Sequence, residues 1–309
     1  MIRGAKVLVA TDLSEGSDEA LRQAHVWAVA AGGELIVCHI VPNALHNNTL
    51  FPQQVQVEAL NLIEQERLAE PALIEQVRQV TGRGGDKIGA SDKDTADDAF
   101  TVVIENGAPD AGIVDAAELQ SAGLLVVGAG SPAGIPDSLL GNVSDRVVRY
   151  AHCPVLVART QPRSGRILVA TDFSARATPA VDTGAEAARL LAAKVTLLHV
   201  IDVEPSLLVG VGVAFGSSPA VMPPDVMVEV KREADATLQG LMERHAIDGD
   251  HRVAAGDAAQ AIVHVAREIE ADLIIMGTSG RTGLARLALG STAEEVSSRA
   301  PCSVLVVRA

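Results

Sequence analysis

Aromatic and basic residues are scarce in this chain. Its 309 residues include one Trp, one Tyr and four Phe, and 25 Lys and Arg residues stand against 39 Asp and Glu residues, which gives a formal net charge of −14 at pH 7. Nucleic-acid binding relies on cations that meet the phosphate backbone and on aromatic rings that stack with bases. The composition therefore predicts that nucleic acid is not a partner.

Cysteine and long apolar runs are also scarce. The three cysteines, Cys38, Cys153 and Cys302, lie in or beside apolar runs without a CxxC spacing, which favours small core residues in a reducing compartment over a metal site. The four-residue apolar run before Thr11 is too short for the core of a signal peptide. The most membrane-like segment, 207–215, has about half the ~20 residues of a spanning helix. We therefore expect a cytoplasmic protein without a membrane span.

The chain does contain a long internal repeat. The stretch KVLVATDLS at 6–14 returns as RILVATDFS at 166–174, 160 residues further on, and glycine-rich stretches in the two halves are 149 residues apart. A repeat of this length indicates two whole domains rather than solenoid units. We place the domains at 1–160 and 163–309, joined by a short linker.

Each half alternates short β-branched runs with amphipathic stretches. This order predicts two tandem doubly wound (Rossmann-like) α/β domains, each with a five-stranded, mostly parallel sheet covered by helices on both faces. Such sheets bind ligands beyond the carboxyl ends of their strands, where the strand order reverses. The strands are predicted at 6–10, 35–41, 100–104, 124–127 and 155–157, and at 166–170, 195–201, 251–254, 273–276 and 304–307.

Local signals refine this prediction. Ser14 and Ser174 are candidate caps for the first helix of each half. Pro71 should kink or split the long second helix of the first half, predicted at 53–80. The polar, glycine-rich segment 82–98 predicts a surface loop.

The most informative stretch, 273–296, reads LIIMGTSGRTGLARLALGSTAEEV. An apolar run ends at Gly277, and the spacing G-x2-G-x9-G-S leads to Gly290 and Ser291 before a helical stretch. Glycine lets the backbone approach an anion closely, and the free amides of a helix's first turn point at the charge. The spacing matches neither the Walker A motif nor the dinucleotide fingerprint. It predicts a phosphate cradle, with a merely tight βα connection as the alternative.

This spacing after a buried strand resembles the nucleotide-binding signature of the universal stress protein family, and the resemblance covers nearly the whole chain. It implies a tandem member of that family with an adenine nucleotide as ligand, ATP first and AMP or ADP next. In the family the Ala-Thr-Asp turn lies against adenine and ribose, and the backbone of the second strand binds the adenine edge. The residues assigned to the nucleotide in the second half are Ala170, Thr171, Asp172, Val200, Met276, Gly277, Gly280, Arg281, Gly290, Ser291 and Thr292.

The first half matches this pattern less well. Ser131 stands where the second half has its middle glycine, Asn142 replaces the hydroxyl residue, and two prolines stiffen the loop. Asp137 places a negative charge where the second half has Arg286. We therefore predict an intact site in the second half and an impaired or empty site in the first. The weaker candidate residues of the first half are Thr11, Asp12, Ile40, Gly128, Ser131, Gly141 and Asn142.

Simpler interpretations apply to several of these residues. Asp12 and Asp172 could cap helices. For His39 and His199 an imidazole satisfied within a buried strand is favoured, since no second His or carboxylate lies at ligand spacing. The loop arginines, Arg281 among them, could equally face solvent.

The sequence favours a binding module over an enzyme. It contains no nucleophile elbow, kinase signature or Ser-His-Asp set. Asp172 beside a phosphate chain could hold Mg²⁺ or orient water, which would support at most slow ATP hydrolysis. The alternatives to a regulatory ATP-binding module are a slow Mg-dependent ATPase and a nucleotide-free scaffold that binds a protein or an apolar ligand.

The closing strands predict association. The apolar runs at 152–158 and 301–309 would leave a sheet edge open to pairing. Related single-domain proteins are similar in dimerising through this strand, so the resemblance implies an intramolecular pseudo-dimer of the two halves. A homodimer through apolar loops such as 207–215 is the further alternative.

Overall fold

The structure is a computed structural model. It describes residues 2–42, 52–82, 100–130, 140–160, 163–202, 224–278 and 289–308, with the backbone alone at 52–61 and 224. The chain divides into two compact units, Met1–Thr160 and Gln161–Ala309. The predicted surface loop at 82–98 lies outside the described residues apart from Gly82.

The described part of the first unit alternates strands with helices. Its strands are β1 (Val7–Ala10), β2 (Leu35–Pro42), β3 (Phe100–Gly107), β4 (Leu124–Gly128) and β5 (Val155–Ala158). Its helices are α1 (Asp18–Ala31), α2 (Pro52–Thr81), α3 (Pro109–Leu119) and α4 (Asn142–Tyr150). The strands form a parallel sheet in the order β3-β2-β1-β4-β5. The order reverses between β1 and β4, which places the ligand crevice of this unit beyond their carboxyl ends.

The second unit repeats this arrangement. Its strands are β6 (Arg166–Ala170), β7 (Lys194–Ile201), β8 (Gly249–Ala255), β9 (Leu273–Gly277) and β10 (Ser303–Val307). Its helices are α5 (Thr178–Leu191), α6 (Pro224–His245), α7 (Ala258–Glu268) and α8 (Ser291–Arg299). The strands again run parallel, in the order β10-β9-β6-β7-β8, and the order reverses between β6 and β9. The predicted tandem doubly wound fold is confirmed.

The core of each unit lies on both faces of its sheet. Every residue of β1 and of β10 is buried, as expected for parallel strands covered by helices on both sides. The small apolar stripe of α1, which includes Ala24 and Trp27, is buried against this sheet. The apolar periodicity of the sequence therefore marked the inward face of this helix correctly.

Pro71 does not split α2, which continues from Pro52 to Thr81. A proline inside a helix removes one backbone hydrogen bond. However, Ala69, Leu73 and Val77 on either side of it are all buried, and tertiary packing of an apolar face supplies most of a helix's stability. The predicted split is therefore wrong, because this packing offsets the local defect, whereas the predicted kink stays a prediction.

Ser14 and Ser174 do not cap the first helices. The residue before α1 is Ser17 and the residue before α5 is Ala177, and neither position receives a cap hydrogen bond from a side chain. A 3₁₀ turn at Glu15–Ser17 separates Ser14 from α1. The serines instead bind the aspartates that precede them, so both predicted caps are wrong.

A close approach of the backbone fixes the turn between α1 and β2. Gly32 ends the helix with φ 64°, and Gly33 N donates to Ala28 O at 2.9 Å. A Cβ on Gly33 would lie 1.9 Å from the backbone O of Ala5. Because Ala5 leads into β1, this contact helps to set β1 and β2 side by side.

Replacing Gly33 with Ala should destabilise the protein. The new Cβ meets a backbone atom that cannot rotate away, so we expect the free energy of unfolding in urea to fall by about 1–3 kcal/mol. The matched control is Gly240→Ala in α6, where a Cβ would meet no heavy atom within 4 Å. That change should gain about 0.5–1 kcal/mol from helix propensity. Equal stability of the two variants would contradict the close approach.

Candidate functional site

A cavity of about 630 Å³ opens in the second unit where its strand order reverses. It lies beyond the carboxyl ends of β6, β7 and β9 and beside the first turn of α8, and α6 closes another side. Ligand pockets commonly have volumes of this size. The predicted residues that line it are Ala170, Thr171, Asp172, Val200, Met276, Gly277, Gly290, Ser291 and Thr292. Gly280 and Arg281 lie outside the described residues.

The turn after β6 is held by its own side chains. Phe173 N donates to Thr171 Oγ1 at 3.2 Å. Ser174 donates to Asp172 Oδ1 through its backbone N at 3.0 Å and through its Oγ at 2.7 Å. Asp172 therefore closes a turn and does not cap a helix, so the cap interpretation is wrong.

The second carboxylate oxygen of Asp172 has no such role. Asp172 Oδ2 is buried and has no hydrogen-bond partner among the residues that the structure describes. A buried polar atom without a partner costs free energy. Since Asp172 lines the cavity, a hydroxyl or amine of a ligand, or a cation, could supply the missing partner.

A histidine and a phenylalanine stack at the cavity wall. His199 Nδ1 lies 2.9 Å from Thr171 O, and because a carbonyl oxygen only accepts, Nδ1 carries the proton and donates. The His199 ring stacks on Phe173 with 4.0 Å between centroids and 22° between planes. The residue is 8% exposed. This is the satisfied histidine that the sequence favoured, whereas the role of Phe173 was missed.

β7 continues past the end of β6. Leu198 O accepts from Thr171 N at 2.9 Å, which ends the pairing on that side. In a parallel strand alternate residues point their backbone N–H and C=O to the same neighbour, so Val200 directs both groups to the side where β6 has ended. Ile201 O points the other way and accepts from Gly256 N beside β8 at 3.0 Å. The cavity wall therefore offers one donor and one acceptor at Val200.

The glycine stretch brings a helix N-terminus to the opposite end of the cavity. Gly290 N donates to Thr278 O at 2.7 Å, which joins the two ends of the connection after β9. α8 begins at Ser291, and no side-chain hydrogen bond caps it at Gly290. The amides of its first turn have no partner within the helix. Such an end attracts an anion.

The charged residues among the described lining are all acidic. They are Asp172, Asp202 and Glu233. An anionic ligand must therefore be met by the amides of α8, by a bound cation, or by side chains outside the described residues. Sequence reasoning missed Asp202 and the α6 residues Glu233 and Thr237, because a helix period shows which face is buried and not which cavity it borders.

The described residues contain no preformed metal centre. No three His, Cys, Asp or Glu side chains in this part of the chain lie close enough to hold an ion. Cys38, Cys153 and Cys302 form no disulfide. Burial, with a smaller contribution from Glu105, raises the pKa of the Cys38 thiol to about 12, so this thiol stays protonated and inert. In the same residues no helix is long and apolar enough to cross a membrane.

The first unit has the same turn after its first strand. Leu13 N donates to Thr11 Oγ1 at 3.0 Å, and Asp12 Oδ1 accepts from Ser14 N at 3.0 Å and from Ser14 Oγ at 2.5 Å. His39 Nδ1 lies 2.9 Å from Thr11 O. In both units the Asp therefore organises its own turn.

The strand edge and the helix start are repeated as well. Thr11 N donates to Cys38 O at 2.9 Å. The backbone N–H and C=O of Ile40 therefore point to the side where β1 has ended, as those of Val200 point to the side where β6 has ended. Gly141 N donates to Ala129 O at 2.8 Å and precedes α4 with φ −66° and ψ 151°. Gly290 precedes α8 with φ −69° and ψ 151°. The backbone that leads into Asn142 is therefore preserved despite the change of residue.

The glycines of the first unit also allow a close approach. A Cβ on Gly141 would lie 2.3 Å from Gly130 O. Ser144 Oγ donates to Gly128 O at 2.6 Å and ties the end of β4 to α4. Ser131, together with the prolines and Asp137 on which the predicted impairment rests, lies outside the described residues.

One contact in the first unit was not predicted. Thr11 Oγ1 donates to Gln76 Oε1 of α2 at 2.8 Å and lies 2.7 Å from Ser17 Oγ. Gln76 Nε2 donates to Asp18 Oδ1 at 2.7 Å, to Ser14 O at 3.2 Å and to Ser17 Oγ at 3.3 Å. A side chain of α2 thus binds the turn that follows β1.

Comparison with known proteins shows which family this chain is similar to. The model of the universal stress protein family matches residues 5–159 and again 164–308. A universal stress protein of Methanocaldococcus jannaschii is 35% identical over 143 residues, which are 46% of this chain and 81% of that protein. One of Mycobacterium tuberculosis is 30% identical over 197 residues, 61% of this chain and 62% of that protein.

A solved structure extends this likeness over the whole chain. The universal stress protein from Archaeoglobus fulgidus DSM 4304 is 20% identical to this chain and superposes on it with a TM-score of 0.64. The superposition covers 99% of this chain and 97% of that one. At this identity the likeness shows the fold. The two matches to the family model show more, and the chain belongs to the universal stress protein family as a tandem member.

The Phe173–His199 stack should be measurable as a coupling. A double-mutant cycle with Phe173→Leu and His199→Ala, followed by urea unfolding, should give a coupling free energy of about 0.5–1.5 kcal/mol. The matched cycle in the first unit uses Leu13→Ala and His39→Ala, because Leu13 stands at the position that matches Phe173, and it should give a smaller value. Equal couplings in the two units would contradict a specific ring interaction.

Ser14 should confer a pH-dependent stability on the first turn. Burial would raise the pKa of Asp12, but hydrogen bonds from Ser14 and Ser17 outweigh it and hold the pKa below its ordinary value. A lowered folded-state pKa stabilises the protein above the unfolded pKa, and this stability is lost as pH falls through the folded pKa. Ser14→Ala should therefore lower the free energy of unfolding at pH 6–7, with a difference that shrinks below about pH 4.

The control for this experiment removes the titrating group. In an Asp12→Asn background, Ser14→Ala should change the free energy of unfolding by the same amount at every pH between 3 and 7, since no carboxyl is left to titrate. A pH-independent effect of Ser14→Ala with Asp12 in place would show that the serine does not act through this carboxyl.

Proposed function

We propose that the second unit binds an adenine nucleotide, ATP in the first place and AMP or ADP next, and that its occupancy regulates the conformation or the partners of the protein. The observation that carries this proposal is the cavity of about 630 Å³, which joins a free strand edge to a helix N-terminus at the switch point of the sheet. Membership of the universal stress protein family makes an adenine nucleotide the ligand to test first.

Each part of the nucleotide has a complementary group in this cavity. Adenine presents a donor beside an acceptor, and the backbone of Val200 offers the matching pair on its open side. Ribose hydroxyls are donors, which suits the unpartnered Oδ2 of Asp172. The amides of Ser291 and Thr292 at the start of α8 suit the phosphates. Gly280 and Arg281 remain candidates from the sequence for the same phosphates.

Magnesium fits this arrangement as a companion of the nucleotide. Mg²⁺ is usually held by one or two carboxylates together with substrate phosphates and water. Asp172 offers one buried carboxylate oxygen, and the described residues provide no complete ligand set without the phosphates. When bound, the ion would neutralise phosphate charge beside the acidic residues of the cavity. The same oxygen keeps a slow Mg-dependent ATPase as the second candidate function.

Other features stay predictions from the sequence. They are the cytoplasmic location, pairing of the two halves through their last strands, a homodimer, and the weak site of the first half.

The first test is the nucleotide content of the protein. Freshly purified chain, denatured and analysed by chromatography, should release adenine nucleotide, and added ATP at 100 times its Kd should raise the free energy of unfolding by about 2.7 kcal/mol. Asp172→Ala should weaken ATP binding about 10- to 100-fold, since it removes a charged acceptor worth about 1.5–3 kcal/mol. The matched control, Asp12→Ala in the first unit, should leave the affinity unchanged.

The same material distinguishes the alternatives. No released nucleotide and no stabilisation by ATP would favour a nucleotide-free scaffold and would remove the proposal. Turnover of ATP that Asp172→Asn abolishes, while binding survives, would instead establish the ATPase.

A further inference from the structure

We infer that Gln76 closes the first unit's counterpart of the nucleotide cavity, and that this side chain, with Thr11 and Ser17, determines which unit takes the nucleotide. The inference rests on the proposed function of the second unit. It assigns the difference in nucleotide binding between the two units to the nucleoside end of the site. The first unit is then a latent nucleotide site occupied by its own glutamine.

The position of Gln76 follows from the repeat. Thr171 and Ala177 line the cavity of the second unit, and their counterparts 160 residues earlier are Thr11 and Ser17. Gln76 contacts both of these counterparts, at 2.8 Å and 3.3 Å. Its amide therefore lies against the residues that would form the corresponding cavity wall.

The amide is held from several directions. Thr11 donates to its Oε1, and its Nε2 donates to Asp18 Oδ1 at 2.7 Å and also to Ser14 O at 3.2 Å. The bond to a carboxylate is charge-assisted and so among the stronger kinds. A ligand that entered beside Thr11 would have to displace all of these bonds.

The second unit lacks the parts of this closure. Ala177 has no hydroxyl where Ser17 has one, and Thr178 stands where the first unit has Asp18. The helix that borders the cavity presents Thr237, whose hydroxyl donates at 2.8 Å to Glu233 O of its own helix. The hydroxyl of Ser17 and the carboxylate of Asp18, two of the groups that hold Gln76, therefore have no counterpart at these positions of the second unit.

Among the described residues, the backbone at the phosphate end is alike in the two units. Gly141 and Gly290 precede their helices with nearly the same backbone angles, and each donates to a carbonyl at the opposite end of its loop. The strand edge at Ile40 is also placed as it is at Val200. Removing the glutamine should therefore expose a usable site.

The experiment counts nucleotides per chain. In equilibrium dialysis of the full chain with labelled ATP, the wild type should bind one, and the double variant Ser17→Ala with Gln76→Ala should bind two. The matched control is Gln79→Ala, three residues along the same helix, where the side chain is exposed and bonded to Glu75. This variant should still bind one.

A second background separates the two units. With Asp172→Ala added, binding at the second unit should weaken about 10- to 100-fold. In this background, the double variant Ser17→Ala with Gln76→Ala should again bind one nucleotide per chain, with an affinity in the range of the wild type. If the pair unfolds the protein, as circular dichroism would show, Gln76→Thr alone copies the residue that α6 presents and should give the same counts.

The outcomes distinguish this inference from the proposed function. A wild type that binds no nucleotide removes the proposed function and the inference with it. A wild type that binds one, with folded Gln76 variants that also bind one, overturns the inference alone. A wild type that binds two at equal affinity also overturns it, because Gln76 would then not close the first site.

Discussion

Unequal strand lengths at the point where the sheet reverses are the constraint on which both units depend. β7 runs past β6, and β2 runs past β1 in the same way, so each longer strand carries backbone groups that no neighbouring strand can pair. Buried backbone donors and acceptors need partners. Each unit therefore has a gap beside the end of its shorter strand, where one backbone donor and one backbone acceptor of the longer strand face away from any strand.

The two units differ in the side chains that lie beside this gap. In the first, α2 supplies an amide that is bonded to the turn after β1, and a polar cluster forms around Thr11. In the second, Ala177 and Thr237, whose hydroxyl donates to its own helix, stand in the corresponding region, and a cavity remains. A satisfied cluster stabilises the first unit, whereas beside the open cavity Asp172 Oδ2 has no partner among the described residues. Duplication thus allows one copy to carry a satisfied polar cluster while the other keeps an open cavity.

Most of the fold could be predicted from the sequence because its signals are local. The repeat, the buried β-branched runs and the glycine connection after β9 each depend on neighbours in sequence. The errors arose where distant contacts decide the outcome. Pro71 is tolerated because α2 packs on the sheet, and Gln76, which was missed, reaches a turn about 60 residues away. Periodicity does not report such contacts. The error at Ser14 is of another kind, because a local bond to Asp12, two residues before it, competes with the cap.

Charge sets the remaining condition on the site. The cavity's described carboxylates and the net charge of −14 both oppose an anionic ligand. The amides at the start of α8 attract phosphate without carrying a full charge, so they orient the ligand more than they offset this repulsion. A cation that travels with the phosphates would change the balance, because its charge arrives only together with the ligand. The acidic cavity would then discriminate in favour of the metal-bound form of the nucleotide over the free anion.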